Sequence, residues 1–207
     1  MQSLPLFIAA SLALIATPGP DMLYVLTRGM AEGRGAGVLS AAGITMGILV
    51  HTLAAALGLA VLLQTSATTF TAIKIFGGLY LIYLGLQTMR RKASLDFGAA
   101  TPPGTGFNCL IQGCLTNVLN PKVALFFLAF LPQFVDPADP HHSRRMILMG
   151  LIFAILTLLT YTVLALFSDG VGKWLRSKKR VAGKIRFVSG AVLMLLGLRL
   201  LTIRSAA

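Results

Sequence analysis

Apolar residues run along this chain in long blocks, and the charged residues fall almost wholly between the blocks. No charge precedes Asp21, and His51 is the only ionisable residue between Arg34 and Lys74. Blocks of about 20 apolar residues have the length of an α-helix that crosses the hydrocarbon core of a bilayer. Six are predicted, over about Leu4–Thr27, Gly37–Leu63, Thr69–Met89, Phe107–Gln133, Met146–Ser168 and Ile185–Ile203. The first is interrupted at Thr17-Pro18-Gly19-Pro20-Asp21 and the fourth at Asn120-Pro121-Lys122. A short polar turn is expected over Gln64–Thr69. The stretch from Arg90 to Gly106, with Arg90-Arg91-Lys92 and Pro102-Pro103-Gly104, reads as a loop. Further loops hold Asp136, Asp139, His141, His142, Arg144 and Arg145, and then Lys173, Arg176, Lys178, Lys179, Arg180 and Lys184.

Composition narrows the class. Hydrophobic residues make up 56% of the 207 positions, charged residues 12%, and mean hydropathy is +0.82. Soluble domains carry about 25% charge. Six helices of about 20 residues leave no room for a separate soluble domain, so residues 1–207 are expected to form a single transmembrane domain, all-α in class. The net charge of +12 would suggest nucleic acid in a soluble protein, but these bases sit between apolar blocks, where membrane topology places them. Loops after helices 1, 3 and 5 hold 11 bases: Arg28, Arg34, Arg90, Arg91, Lys92 and the six of the last loop. The other side holds 4: Lys74, Arg144, Arg145 and Arg204. The positive-inside rule puts the 11 in the cytoplasm and both termini on the outer side. The N-terminal block lacks a basic leader region and is expected to be a retained first helix. Cys109 and Cys114 are five residues apart, about 500° of helix rotation. They therefore face different ways, as small buried hydrophobes and not as a disulfide or metal pair.

The chain also repeats itself. Lys74–Leu86 aligns with Arg186–Leu198 at an offset of 112, pairing Gly78 with Gly190 and Gly85 with Gly197. His51-Thr52 and Tyr161-Thr162 give a weaker echo, and helices 1 and 4 share a mid-helix proline break. An odd number of helices per repeat forces opposite insertion of the two halves. The expectation is two inverted three-helix repeats, about 1–90 and 107–207, joined by a linker over about 91–106, the plan of many secondary transporters.

Candidate chemistry follows from the breaks. Proline inside a helix removes a donor and clashes with the preceding turn. Backbone groups freed in this way cannot face lipid. Matched breaks at corresponding places are the best sequence pointer to a transport site. Pro18, Gly19, Pro20, Asp21, Asn117, Asn120, Pro121 and Lys122 are therefore candidate substrate-binding residues, with the three prolines expected to line a cavity. Asp21 and Lys122 are costly inside a membrane and are expected to lie near each other across a pseudo-twofold axis. Asp21 and His51 are candidates for proton coupling. Gln112 and Tyr161 are candidate cavity-lining residues, and Gly43 with Gly47 is expected to pack helices. No metal site and no cofactor is expected. A half-helix N-terminus after Pro20 or Pro121 suits a substrate carboxylate, and Asp21 an ammonium.

These residues together resemble the LysE/RhtB family of amino-acid exporters. The resemblance is carried by Thr17-Pro18-Gly19-Pro20-Asp21, the Gly29–Gly35 loop, Lys74–Gly85, Asn117–Lys122 and Phe126–Phe134, and it spans the chain. It implies a bacterial inner-membrane secondary transporter that exports amino acids or close derivatives, driven by the proton gradient. Implied partners are an amino acid, protons, lipid and a second copy of the chain in a homodimer, with no nucleic acid. The alternatives are a channel, an intramembrane hydrolase, or a membrane thiol oxidoreductase of the DsbD/CcdA type. The last would need a cysteine on each of two facing broken helices, and helix 1 has none.

Overall fold

The structure, a computed structural model, describes residues 4–65, 67–90, 106–135, 139–170 and 179–202. Every element among them is helical: α1 (Leu4–Ala16), α2 (Pro20–Glu32), α3 (Arg34–Thr65), α4 (Ala67–Arg90), α5 (Gly106–Val118), α6 (Pro121–Leu125), α7 (His142–Leu166) and α8 (Lys179–Thr202). A π-helical turn at Phe126–Phe130 and a 3-10 turn at Leu131–Phe134 continue α6. The segment Arg34–Leu57 of α3 and all of α7 are each long and apolar enough to cross a membrane. The pairs α1/α2 and α5/α6 qualify as two more spans when each is taken as one helix bent by 54° and 51°.

The breaks fall where the prolines put them. Pro20 and Pro121 each occupy the first helical position, where the missing N–H is no loss and the fixed φ suits a helix start. Asn120 caps the second break with its own side chain, Oδ1 accepting from Lys122 N at 3.1 Å. Gly19 stands at the corresponding cap of α2 with extended backbone and supplies no side-chain bond.

Glycine contacts fix how α4 meets α8. A Cβ on Gly85 would stand 2.6 Å from the carbonyl oxygen of Gly190, and one on Gly190 would stand 2.6 Å from that of Gly85. Gly78 and Gly197 meet in the same reciprocal way, at 3.0 and 2.6 Å. The two helices therefore run antiparallel at backbone contact, which only small residues allow. Shifting Gly78–Gly197 by the offset of 112 turns it into Gly190–Gly85, so each contact is the image of the other. Gly47 likewise admits Asn117 of α5, whose Cβ is 2.8 Å from where its own would be, and Gly113 admits Ser40 O at 2.7 Å. Gly43 and Gly47 thus pack helices, as expected.

Several boundary expectations give way. The polar turn expected over 64–69 is almost absorbed by α3 and α4, because Gln, Thr and Ala do not break a helix. Helix α8 starts at Lys179, two turns before the apolar block, since Lys and Arg are good helix formers outside the lipid. His142–Arg145 form the first turn of α7. Many bases read as loop residues stand in helices: Arg34, Arg90, Arg144, Arg145, Lys179, Arg180 and Lys184 at or near helix ends, Lys74 within α4, and Arg28 inside α2, where it is 1% exposed. Cys109 is buried, Cys114 half-buried, and both are free. Most of the linker, the last basic loop up to Lys178, Asp136, and both terminal ends lie outside the described residues.

Candidate functional site

A broken helix leaves carbonyls at one end and N–H groups at the other without intrahelical partners. At the C-terminal end of α1 these carbonyls are taken up by side chains from the second half of the chain. Lys122 Nζ donates to Leu14 O at 3.2 Å and to Thr17 O at 3.0 Å, and Tyr161 OH donates to Ile15 O at 3.2 Å. Thr17 Oγ1 donates to Ala13 O at 2.7 Å. At the C-terminal end of α5 the same service comes from the first half: His51 Nε2 lies 3.1 Å from Asn117 O. His51 and Tyr161 are the two positions matched between α3 and α7. Each half's middle helix therefore caps the broken helix of the other.

The two charges are placed where helix dipoles favour them. Asp21 sits in the first turn of α2, at its positive end, and Lys122 reaches the negative end of α1. Gly19 leaves the space that Lys122 uses, since a Cβ there would be 3.2 Å from Nζ. Asp21 and Lys122 line one cavity. They do not form an ion pair, because the ammonium is held on the α1 carbonyls; the ion pairs among the described residues are Arg28–Glu32 and Arg145–Asp139. Asp21 bonds to Asn117 instead, Oδ2 accepting from Nδ2 at 2.9 Å.

Three buried atoms here have no partner: Asp21 Oδ1, Asn117 Oδ1 and Asn120 Nδ2. The surrounding bonds fix their identity. Asn117 must turn its amide nitrogen to Asp21, and Asn120 must turn its oxygen to Lys122 N, so two acceptors and one donor are left over. Buried polar groups without partners cost about 1–3 kcal/mol each, and the two acceptors, Asp21 Oδ1 and Asn117 Oδ1, belong to residues that line one cavity.

The cavity is small, about 10 Å³, room for about one water. Leu14 and Ile15 of α1, Ile48 of α3, Val123 of α6 and Phe153 of α7 give it apolar walls, and Thr157 and Tyr161 add hydroxyls. Tyr161 is thus one of the residues that line it. Pro20 and Pro121 do not: both are exposed, and Pro18 is half-buried. A proline at the first helical position turns its ring outward from the new helix start, and the next residue, Asp21 or Lys122, faces in. Gln112 is also absent from the cavity. Five residues before Asn117 on α5, it points about 140° away from it and meets Arg28 instead. His51 stacks on Phe127 at 5.9 Å and touches the site only through Asn117 O. Sequence reasoning misses Thr157 and Phe153. A signal is nonetheless present, because they align with Gly47 and Gly43 at the same offset of 110 that pairs His51 with Tyr161.

Residues 12–204 match the family model for LysE type translocators. Similar proteins include an uncharacterized membrane protein, YrhP, of Bacillus subtilis, 29% identical over 86% of this chain and 89% of its own length. A leucine efflux protein of Enterobacter sp. is 28% identical, covering 85% of this chain and 84% of that one. A homoserine/homoserine lactone efflux protein of Salmonella typhimurium is 26% identical, covering 97% and 96%. No solved structure matches.

Proposed function

The chain belongs to the LysE type translocator family, and on that premise we propose that it exports amino acids with uncharged side chains from the bacterial cytoplasm. It is a membrane translocator and not an enzyme. The observation that carries the substrate class is the set of orphaned atoms at the break. An α-amino acid brings an ammonium, which needs acceptors, and a carboxylate, which needs donors. Asp21 Oδ1 and Asn117 Oδ1 receive the ammonium. The third proton of Lys122 receives the carboxylate. The apolar walls leave the side chain no partner for a charge. The leucine and homoserine named for two relatives both have uncharged side chains.

In this reading α1/α2, α3, α4, α5/α6, α7 and α8 are six spans in two inverted repeats. The reciprocal glycine contacts, the exchanged caps and the two similar bends support that arrangement. The 11-to-4 bias of bases in the sequence supports cytoplasmic placement of the loops after helices 1, 3 and 5, with both termini periplasmic in the inner membrane. A cavity of about 10 Å³ does not hold an amino acid, so binding requires α1 and α7 to part. Asp21 is the group placed to exchange a proton for substrate, and His51 acts on it through Asn117.

The test is transport by the purified protein in vesicles preloaded with a panel of amino acids, with and without a pH gradient. Saturable flux of uncharged amino acids, accelerated by an inward proton gradient, is expected. Flux that does not saturate would make the protein a channel, and flux indifferent to pH would remove the proton from the cycle.

A further inference from the structure

Beyond Asp21, the same face of α2 carries Tyr24, Arg28 and Glu32, spaced at three or four residues and so in one line. Opposite them stand Gln112 and Cys109 of α5. Arg28, 1% exposed, is ion-paired with Glu32, bonded to Gln112 Oε1, and lies with its guanidinium 5.5 Å from the Tyr24 ring centre. Tyr24 OH donates to Cys109 O at 3.0 Å. With Asp21–Asn117 at its inner end, this is a continuous polar seam between the two halves, running from the cavity to the end of α2.

The matched seam in the other half is built differently. The offset of 101 that pairs Pro20 with Pro121 sets Leu125, Ala129 and Gln133 in place of Tyr24, Arg28 and Glu32. Phenylalanines close that side: Phe7 of α1 lies 6.2 Å from Phe126 and 5.3 Å from Phe134, and Phe130 lies 5.0 Å from Phe126. Apolar packing is therefore enough to seal a seam of this shape. A buried ion pair adds little stability over apolar residues of similar size, and a charge within a membrane span marks a pathway more often than a scaffold.

We propose that the α2/α5 seam is the path by which substrate reaches the cavity, and that Arg28 and Glu32 form a second, transient site on it for an amino-acid zwitterion. The substrate carboxylate takes the guanidinium fork and its ammonium takes the Glu32 carboxylate, so one neutral pair replaces another and no net charge is left buried. Gln112, exposed on α5, releases Arg28 when the seam opens. Seven residues along α2, about 10 Å, separate this site from Asp21, so the substrate moves inward by about two turns. The seam thus offers a charged pair on the side where α2 ends, whereas the matched positions on the phenylalanine side are Leu125, Ala129 and the uncharged Gln133. This asymmetry rests on the reading of the chain as an amino-acid exporter and gives that exporter its capture side.

The experiment measures leucine half-saturation separately on the two faces, in inside-out and right-side-out vesicles, normalised to protein in the membrane. The doubly neutral variant Arg28→Gln/Glu32→Gln should raise half-saturation on the α2-end face roughly tenfold, the loss of a charge-assisted bond. Half-saturation on the opposite face should stay unchanged. Detailed balance then requires the maximal rate from that opposite face to fall by the same factor. Arg28→Lys, which keeps the charge and the Glu32 partner but loses the fork, should move the same face in the same direction by less, and it decides the matter if the double variant fails to accumulate. Equal shifts on both faces, or a fall in rate with both half-saturations intact, would mean that Arg28 only clamps α2 to α5 and would overturn the proposal. Absence of saturable leucine flux in the unaltered protein would instead take down the exporter reading itself.

Discussion

Asp21→Asn separates binding from folding at the centre of the site. The amide can keep its oxygen toward Asn117 Nδ2, preserving the 2.9 Å bond in neutral form. That bond weakens by about 1 kcal/mol, and the relief from burying a charge works against the loss. Stability should therefore change by no more than about 1 kcal/mol. Binding is affected twice over, because the orphaned Oδ1 that would accept an ammonium becomes an N–H donor facing it. A charge-assisted bond is lost, about 1.5–3 kcal/mol, and a buried donor is left unpaired, about 1–3 kcal/mol. Together these come to roughly 3–5 kcal/mol, or a hundredfold to several-thousandfold in affinity. The assay is export in cells and leucine counterflow in vesicles, both normalised to membrane protein, with thermal unfolding measured on the same preparation. Lost transport with an unchanged unfolding temperature is the expected pair of results. Near-normal half-saturation would refute the role given to Asp21 and leave His51 as the remaining candidate for coupling. Loss of the protein from the membrane would make Asp21 a structural residue.

Lys122→Met should show the opposite balance. It strips two donors from the end of α1, leaving Thr17 O without its lysine, so unfolding should be easier by about 1–3 kcal/mol and transport lost with it; an unfolding temperature equal to that of the parent would refute the capping role. Gly190→Ala and Gly85→Ala should lower membrane accumulation by similar amounts, because each Cβ would meet the other's carbonyl at 2.6 Å; Gly35→Ala, with open space around it, should not, and a large difference between the first two would argue against the reciprocal packing.

What the sequence discloses and what it hides divide along physical lines. Long uncharged blocks and prolines act locally, so the helices and both breaks can be located from them. Boundaries at charged ends cannot, because Lys, Arg and Glu are good helix formers, and Lys179, Arg180 and Glu32 all lie inside helices here. The pairing of Asp21 with Lys122 follows from position alone. Both do reach one cavity, but the ammonium goes to carbonyls at the end of α1, which are invisible as letters. Arg28 misleads for the same reason. A lone arginine near a loop counts as topology until α5 is known to lie against it, and only Gln112, 84 positions away, reveals that it is inside.

The cavity itself follows from a difference between the halves. On α3, Gly43 and Gly47 let α5 settle against the backbone, and the Gly113 position shows how close that approach is. At the matching places on α7 stand Phe153 and Thr157, which line the cavity together with Leu14 and Ile15 of α1. Two halves with equal small residues would close on both sides and leave no site. Two with large residues would hold both broken helices away and expose their carbonyls. The α3/α5 contact is thus made at the backbone, whereas the end of α1 meets the second half through the side chains of Lys122 and Tyr161. On the proposed reading, a substrate carboxylate on the third proton of Lys122 shares that ammonium with the carbonyls of Leu14 and Thr17. Substrate and the end of α1 then meet at one side chain, while the α3/α5 contact stands apart from it.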